Sequence, residues 1–447
     1  MGSLLKKGSS GRAAAIVFSG AFANLLINMG AAPILSRIFS RSDFGMAALF
    51  GSVVAISALI ATATYPMAIT VSRSDNTAKV ILQLTVVLAL IGSIITPVIV
   101  YGVALNAPTI DQLAKDPLML VALAFAVFLA AMSPAFSNLG LRQKKFSANA
   151  TSNTLSAAAE KSVAISVGLL MGGGGLFLIA ANQVGVFVKG MMLNISTGRI
   201  GIGRIRGKRL VTVAKTLSSY PMYVLPSNIL RRFSQDMPLY FLLAGSGLGL
   251  VGAFAFANSM MTAPFNLIQS SISPVFLRRA AELKRSQPQK ISAGVLVLRA
   301  RCMQLCLIPA LLIATYGESI FAFIFSDEWR VAGQISSLLA PVFVLRALAA
   351  PLSGLYRVFN RERTSLMVNI IGVVARSISL GMGVAFMKPL EAVALFSAAS
   401  CAVYVVNLYQ SYGMADINNR LSLVAFDSGC SSIILIIACY FVFGWGS

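Results

Sequence analysis

LSSYPMYVLPSNILRRFSQDMPLYFLLAGSGLGLVGAFAFANSMMTAPFNLIQSSISPVFLRRAAEL, residues 217–283, holds two long apolar runs, 219–243 and 248–276, joined by a tight glycine-rich hairpin. Each run exceeds the roughly 20 helical residues that cross a hydrocarbon core about 30 Å thick. Yet the first carries Arg231, Arg232 and Asp236 in its middle. A run of that length reads as a membrane helix, and charges inside it read as groups turned away from lipid.

The rest of the chain repeats the pattern. Of its 447 residues 57% are hydrophobic and only 11% charged, with mean hydropathy +0.82, whereas a soluble chain has about a quarter charged residues. Thirteen apolar segments are predicted, at 13–39, 44–71, 78–104, 117–140, 146–172, 175–197, 219–243, 248–276, 292–316, 330–356, 363–386, 390–412 and 425–444. The fold class is therefore all-α, a polytopic integral membrane protein of 12–13 transmembrane helices. There is no histidine, which removes His-based triads, histidine metal sites and histidine proton relays. Cys302, Cys306, Cys401, Cys430 and Cys439 all sit inside apolar runs without paired loop spacing and read as small core hydrophobes. No metal and no cofactor is expected.

A net charge of +22 raises the question of nucleic acid, and its distribution answers it. With a cytoplasmic N-terminus, the inner connections and adjoining helix ends hold 23 Lys/Arg against 4 Asp/Glu, and the outer ones 5 against 7. That bias is the positive-inside pattern. Trp329, Trp445, Tyr101 and Tyr316 fall near the outer interface, where aromatic belts form. The first segment follows Lys6 and Lys7 but stays apolar far beyond a signal peptide's core, so it reads as a retained helix. The inner connection around 198–216, with Arg199, Arg204, Arg206, Lys208, Arg209 and Lys215, reads as a solvated basic linker. Its GIGRIRG stretch, 201–207, lacks the spacing of a phosphate-cradling loop. The run 172–175 reads as a tight outer turn.

The linker divides the chain into an N-terminal six-helix bundle, 1–197, the linker, 198–218, a C-terminal six-helix bundle, 219–412, and an extra helix in 413–447. Each half opens with a tight outer hairpin, at 40–44 and 245–249, leading into a long proline-bearing helix with Pro66 in one and Pro264 and Pro274 in the other. An even number of spans per half gives the halves the same orientation, as in parallel-repeat transporters.

Eight basic residues lie within the spans: Lys161, Lys189, Arg231, Arg232, Arg299, Arg301, Arg346 and Arg376. Facing lipid at mid-bilayer they would together cost on the order of 20–28 kcal/mol, more than folding stability supplies. The spans hold three acids, Glu160, Asp236 and Asp427, leaving a surplus of +5. Arg299 and Arg301 are near enough to an inner helix end to snorkel; the other six are deeper. Polar residues follow these charges at helical spacing: Asn149, Asn153, Ser156 and Glu160; Asn182 and Lys189; Asn228, Arg231 and Gln235; and Asn258, Thr262, Asn266, Gln269 and Ser273. Such stripes suit a hydrated lumen, or, for the uncharged positions, hydrogen bonds between helices. A cationic, histidine-free interior points to a bound anion, with Arg matching phosphate oxygens bidentately. Lys161, Lys189, Arg231, Arg232, Arg346 and Arg376, with Asn228 and Gln235, are the candidate substrate-binding residues.

Two stretches, LSRIFSRSDFGMAALFGSVVAISALIATATYPMAI at 35–69 and the opening one at 217–283, resemble the polysaccharide biosynthesis family of Wzx-type oligosaccharide flippases. The marks are Asp43-Phe44-Gly45, Ala68-Ile69, Tyr220-Pro221, Pro226-Ser227-Asn228, Ser234-Gln235, Pro238, Gly252, Pro264 and Val275-Phe276. The resemblance spans approximately 13–412 and omits the last helix. It implies the fold of the multidrug/oligosaccharidyl-lipid/polysaccharide (MOP) superfamily: two six-helix bundles facing a central cavity. It also implies movement of polyprenyl-pyrophosphate-linked oligosaccharide from the inner to the outer leaflet of a bacterial inner membrane by alternating access, with no enzymatic step. Polysaccharide polymerase and export machinery are implied partners, beside the lipid bilayer. At Tyr65-Pro66 an acidic residue common in the family is missing, which leaves Glu160 and Asp236 as the candidates for coupling to a proton or sodium gradient. Asp236 could equally be neutralised by Arg232, four residues away. A multidrug or cation exporter of the same superfamily would need acids in its cavity, and the first four spans contain none. A membrane-embedded polymerase or ligase would need larger outer loops than these.

Overall fold

The computed structural model describes residues 9–72, 74–104, 117–198, 207–287, 289–359 and 361–444. The stretch 199–206, which holds most of the GIGRIRG sequence, lies outside them, as do Lys6, Lys7 and Trp445. Among the described residues there are helices and turns and no strand. A strand's edge groups would go unpaired in hydrocarbon, whereas a helix satisfies its own backbone. Among the described residues twelve helices are long and apolar enough to cross a membrane, and the chain is a multi-pass membrane protein. The seventh of the thirteen apolar segments, 219–243, forms the helix Leu225–Ser246. It is long enough to cross, but Arg231, Arg232 and Asp236 keep it out of the apolar set.

The chain divides into two compact units, residues 1–236 and 237–447, with the division inside that helix. The first contains α1 (Ser9–Ile38), α2 (Arg41–Thr62), α3 (Asp75–Ala104), α4 (Pro117–Arg142), α5 (Phe146–Met171), α6 (Gly175–Ser196), α7 (Gly207–Thr216) and the start of α8 (Leu225–Ser246). Helices α1, α5 and α6 pack in sequence, and α4 joins them to α2 and α3. Ser40 caps α2 through a reciprocal box with Asp43, which fixes the tight hairpin after α1. The glycine run at 172–175 is a tight connection between α5 and α6, and the packing explains its composition. A Cβ on Gly173 would lie 2.7 Å from the Ile38 carbonyl oxygen, and one on Gly175 2.8 Å from Met46 Sδ, so only glycine lets this turn nest against the hairpin.

The second segment, expected at 44–71, is not one helix. It stops at Thr62, passes through left-handed Ala63 and Thr64 at φ 47° and 58°, and resumes as a 3-10 turn, Tyr65–Ile69. Pro66 starts that turn, where its missing N–H costs nothing. Two consecutive non-glycine residues in this region store about 1–3 kcal/mol each and persist only when their surroundings hold them. Tyr65, Ala68 and Ile69 are buried in one apolar cluster with Ile81, Leu82 and Leu139. The Asn138 amide donates to the Pro66 carbonyl at 3.0 Å, and Arg142 binds Asp75 at 2.9 Å and the Ser72 hydroxyl at 2.8 Å. The linker is in part not solvated: its described half is α7, and Leu210 on α7 is buried in that same cluster.

The second unit contains the rest of α8 with α9 (Leu248–Ser286), α10 (Lys290–Phe325), α11 (Arg330–Leu352), the single turn α12 (Leu355–Val358), α13 (Glu362–Phe386), α14 (Pro389–Met414) and α15 (Arg420–Phe443). Helix α10 runs on through 317–325, which the apolar pattern had placed in an outer loop. It packs against α11 backbone to backbone: a Cβ on Gly333 would lie 2.4 Å from the Gly317 carbonyl oxygen. Helix α11 is the axis of this unit. It touches α9, α10, α14 and α15 and is buried along most of its length, whereas the other spanning helices leave most of their surface open. Trp329, expected at the interface, is instead fully buried, its ring centroid 4.2 Å from that of Phe256, which in turn packs edge-on against Phe321 and Phe325. Tyr101 and Tyr316 are exposed, as interfacial anchors are. The last helix is no appendage, since α15 packs on α10, α11 and α14.

Candidate functional site

In the first unit the candidate cations stand on α5, α6 and α8. Lys161 Nζ lies 2.6 Å from Glu160 Oε1, both half-buried. Lys189, two turns from the C-terminal end of α6, is also half-buried and makes no ion pair or hydrogen bond among the described residues. On α8, Arg231 is exposed and donates to the Asn228 side-chain oxygen at 3.1 Å. Arg232 Nε donates to Asp236 Oδ2 at 2.6 Å, and the same oxygen accepts from the buried Ser52 hydroxyl of α2 at 2.6 Å. Asp236 is thus nearly enclosed, and its charge is matched by Arg232. Gln235 is exposed on the side of α8 that carries Arg231.

In the second unit Arg346 occupies one of the few openings on α11. Around it Val344, Leu345, Ala347 and Leu348 are buried, while Phe343, Arg346 and Ala350 form a partly open strip at helical spacing. The guanidinium carbon sits 4.5 Å from the ring centre of Phe265 on α9 and 5.7 Å from that of Phe343. Aromatic faces attract and orient a guanidinium while leaving its N–H edge free for an anion. Arg376 on α13 donates to the Ser400 hydroxyl of α14 at 3.0 Å and lies 5.4 Å from the ring centre of Tyr404.

Arg299 does not snorkel. It makes a two-pronged bond to Asp427 of α15, with Nε to Oδ2 at 2.9 Å, and Tyr412 of α14 donates to the same Oδ2 at 2.8 Å. Asp427 is completely buried, so three helices are clasped around one neutralised charge. Arg301 is exposed. Each of the three membrane acids is therefore engaged by one cation: Glu160 by Lys161, Asp236 by Arg232, and Asp427 by Arg299. The surplus of positive charge rests on Lys189 and Arg231 in the first unit, and on Arg301, Arg346 and Arg376 in the second.

Part of the polar striping binds helices together. Asn149 of α5 exchanges hydrogen bonds with Ser137 of α4 at 3.1 and 3.2 Å, and Ser156 donates to the Gly185 carbonyl of α6 at 2.7 Å. Asn153, Asn182 and Asn266 remain exposed. The sequence did not point to Ser52, Phe265, Ser400, Tyr404 or Tyr412, because each reaches its partner from another helix. Phe343 was within reach, being three residues before Arg346 on one helix face. Among the described residues no group of three or more His, Cys, Asp or Glu side chains is placed to hold a metal ion.

A family model described as polysaccharide biosynthesis protein matches residues 34–334, about two thirds of the chain. The chain belongs to this family. Comparison with curated proteins gave no match. Among solved structures, the chain is similar to lipid II flippase MurJ in an inward closed conformation, with TM-score 0.66 and 11% identity over 96% of this chain and 99% of that one. It is also similar to an inward-facing multidrug resistance MATE family transporter of the MOP superfamily, with TM-score 0.61 and 14% identity over 91% and 99% of the two chains. A MOP superfamily transporter from Pyrococcus furiosus matches with TM-score 0.55 and 14% identity over 90% and 95%. The fold of this family member is thus the MOP transporter fold.

Proposed function

We propose that this protein is a flippase that moves polyprenyl-pyrophosphate-linked oligosaccharide repeat units from the cytoplasmic to the periplasmic leaflet of a bacterial inner membrane, for polysaccharide biosynthesis, by alternating access. Membership of the polysaccharide biosynthesis family and the fold shared with a lipid II flippase support the reading. The observation that carries it is the charge balance inside the spans, where every acid is matched and cations remain over. A pyrophosphate crossing hydrocarbon needs such compensation. In the first unit Lys161, Lys189, Arg231 and Arg232, with Asn228 and Gln235, supply cationic and amide donors. In the second, Arg346 and Arg376 supply guanidinium edges that fit phosphate oxygens. Glu160 and Asp236 serve gradient coupling only if the cation each holds is drawn away during the cycle. The concentration of Lys and Arg in one set of connections supports a cytoplasmic N-terminus. A polymerase and an export apparatus would receive the cargo, and no bond of the cargo is broken here.

The test is leaflet transfer of a fluorescent polyprenyl-pyrophosphate oligosaccharide in proteoliposomes, wild type against an Arg231→Ala/Arg346→Ala variant of equal expression. Transfer by the wild type that the variant lacks upholds the reading. Unchanged transfer in the variant removes these arginines from the mechanism. Export of a cationic dye with no transfer of the glycolipid replaces the flippase with a cation exporter.

A further inference from the structure

Helix α7 lies between the two halves of the sequence, follows the inner end of α6, and carries the sequence GKRLVTVAKT. Its residues sort into two faces. Leu210, Val213, Ala214 and, in the turn that follows, Leu217 point one way and pack into the apolar cluster formed by Ala78, Ile81 and Leu82 of α3 and by Tyr65 and Ile69. Lys208, Val211, Thr212 and Lys215 share the opposite face, with Arg209 at its border, and all five are exposed.

Two features of the outer face are unexpected for a surface bathed in water. It has no ion pair among the described residues, and the segment 198–218 contains six basic residues and no acid. It also presents an apolar side chain at its centre: Val211 is 56% exposed, with Lys208 and Lys215 one turn away on either side. A ring of cations around an exposed apolar residue fits a boundary that is anionic on one side and oily on the other, which is the headgroup layer of a bilayer.

We propose that α7 is an interfacial anchor whose outer face, Lys208, Arg209, Val211 and Lys215, binds anionic phospholipid headgroups of the cytoplasmic leaflet. The proposal does not depend on the cargo. Its consequence reaches the strained end of α2, because the Tyr65 hydroxyl donates to the Ala214 carbonyl at 3.3 Å and the Thr64 hydroxyl to the Tyr220 carbonyl at 3.4 Å. The anchor that holds α7 therefore also holds the left-handed pair Ala63 and Thr64.

The full-length Val211→Trp variant, reconstituted in vesicles of phosphatidylcholine alone or with about a third phosphatidylglycerol, tests this. Its emission, read as a difference from the parent protein, is expected to move to shorter wavelength in the anionic vesicles and to return on raising salt, because the attraction is screened. Adding Lys208→Gln, Arg209→Gln and Lys215→Gln to that variant should abolish the shift. In detergent, affinity for a short-chain phosphatidylglycerol should drop at least tenfold in the triple variant, with phosphatidylcholine binding unchanged. Equal spectra in both vesicles, or a shift and a lipid affinity that survive the triple substitution, overturn the proposal. A blue shift that arises only when cytoplasmic extract is added overturns it too, in favour of a protein partner.

Discussion

Arg299 and Arg346 stand in the same unit, both on membrane helices, and are treated in opposite ways. Arg299 is met by a carboxylate and a tyrosine hydroxyl that leave its charge nothing to do. Arg346 is met by two phenyl rings, which hold its plane and cancel no charge. The contrast separates a cation that builds the fold from one kept for a ligand. A carboxylate partner marks the first and an aromatic one the second.

The largest effect that can break this distinction comes from Asp427→Ala. Removing the acid leaves Arg299 buried and uncompensated, a loss of about 3–5 kcal/mol. The folded yield and the thermal midpoint of the purified protein should fall sharply, and Arg299→Met with Asp427→Leu should restore most of both. An unchanged midpoint in Asp427→Ala would show that the clasp is not structural. Next is Arg346→Met, which should reduce glycolipid transfer about a hundredfold, or about 2.7 kcal/mol in rate terms, with little change in thermal midpoint. If it instead unfolds the protein as Asp427→Ala does, the two arginines are alike after all. The smallest is Phe343→Leu. It removes one ring contact of about 0.5–2 kcal/mol, and should raise the concentration of glycolipid needed for half-maximal transfer by a few fold while leaving the maximal rate near wild type.

The sequence disclosed what rests on composition and local spacing. Length and apolarity place the helices. The glycine run at 172–175 was recognisable as a turn, because four adjacent glycines favour a tight reversal over a continued helix. Pairings across long intervals were hidden. Arg299 and Asp427 are 128 residues apart, and nothing in either helix announces the other, so Arg299 read as a group reaching for the interface. Ser52 reaches Asp236 across 184 residues in the same way. The docking of α7 could have been read, since Leu210, Val213, Ala214 and Leu217 repeat at helical intervals, but the charges between them masked the apolar set. The left-handed break after Thr62 carries no glycine and no asparagine at Ala63 or Thr64, so no residue type advertises it. Trp329 is a similar case. Interfacial position is the usual reading of a tryptophan beside acids, and it yields here to Phe256 of α9, which itself packs against two rings of α10.

The clasp of Arg299 by Asp427 also sets an order of events during synthesis. The arginine is made 128 residues before its acid, so at about 5–20 residues per second it waits on the order of 6–26 s for a partner. Helix α10 must spend that interval with an unmatched guanidinium near or within the bilayer. The arrival of α15 completes the unit, and a nascent chain released before Asp427 carries a charged, half-assembled bundle that membrane quality control can recognise.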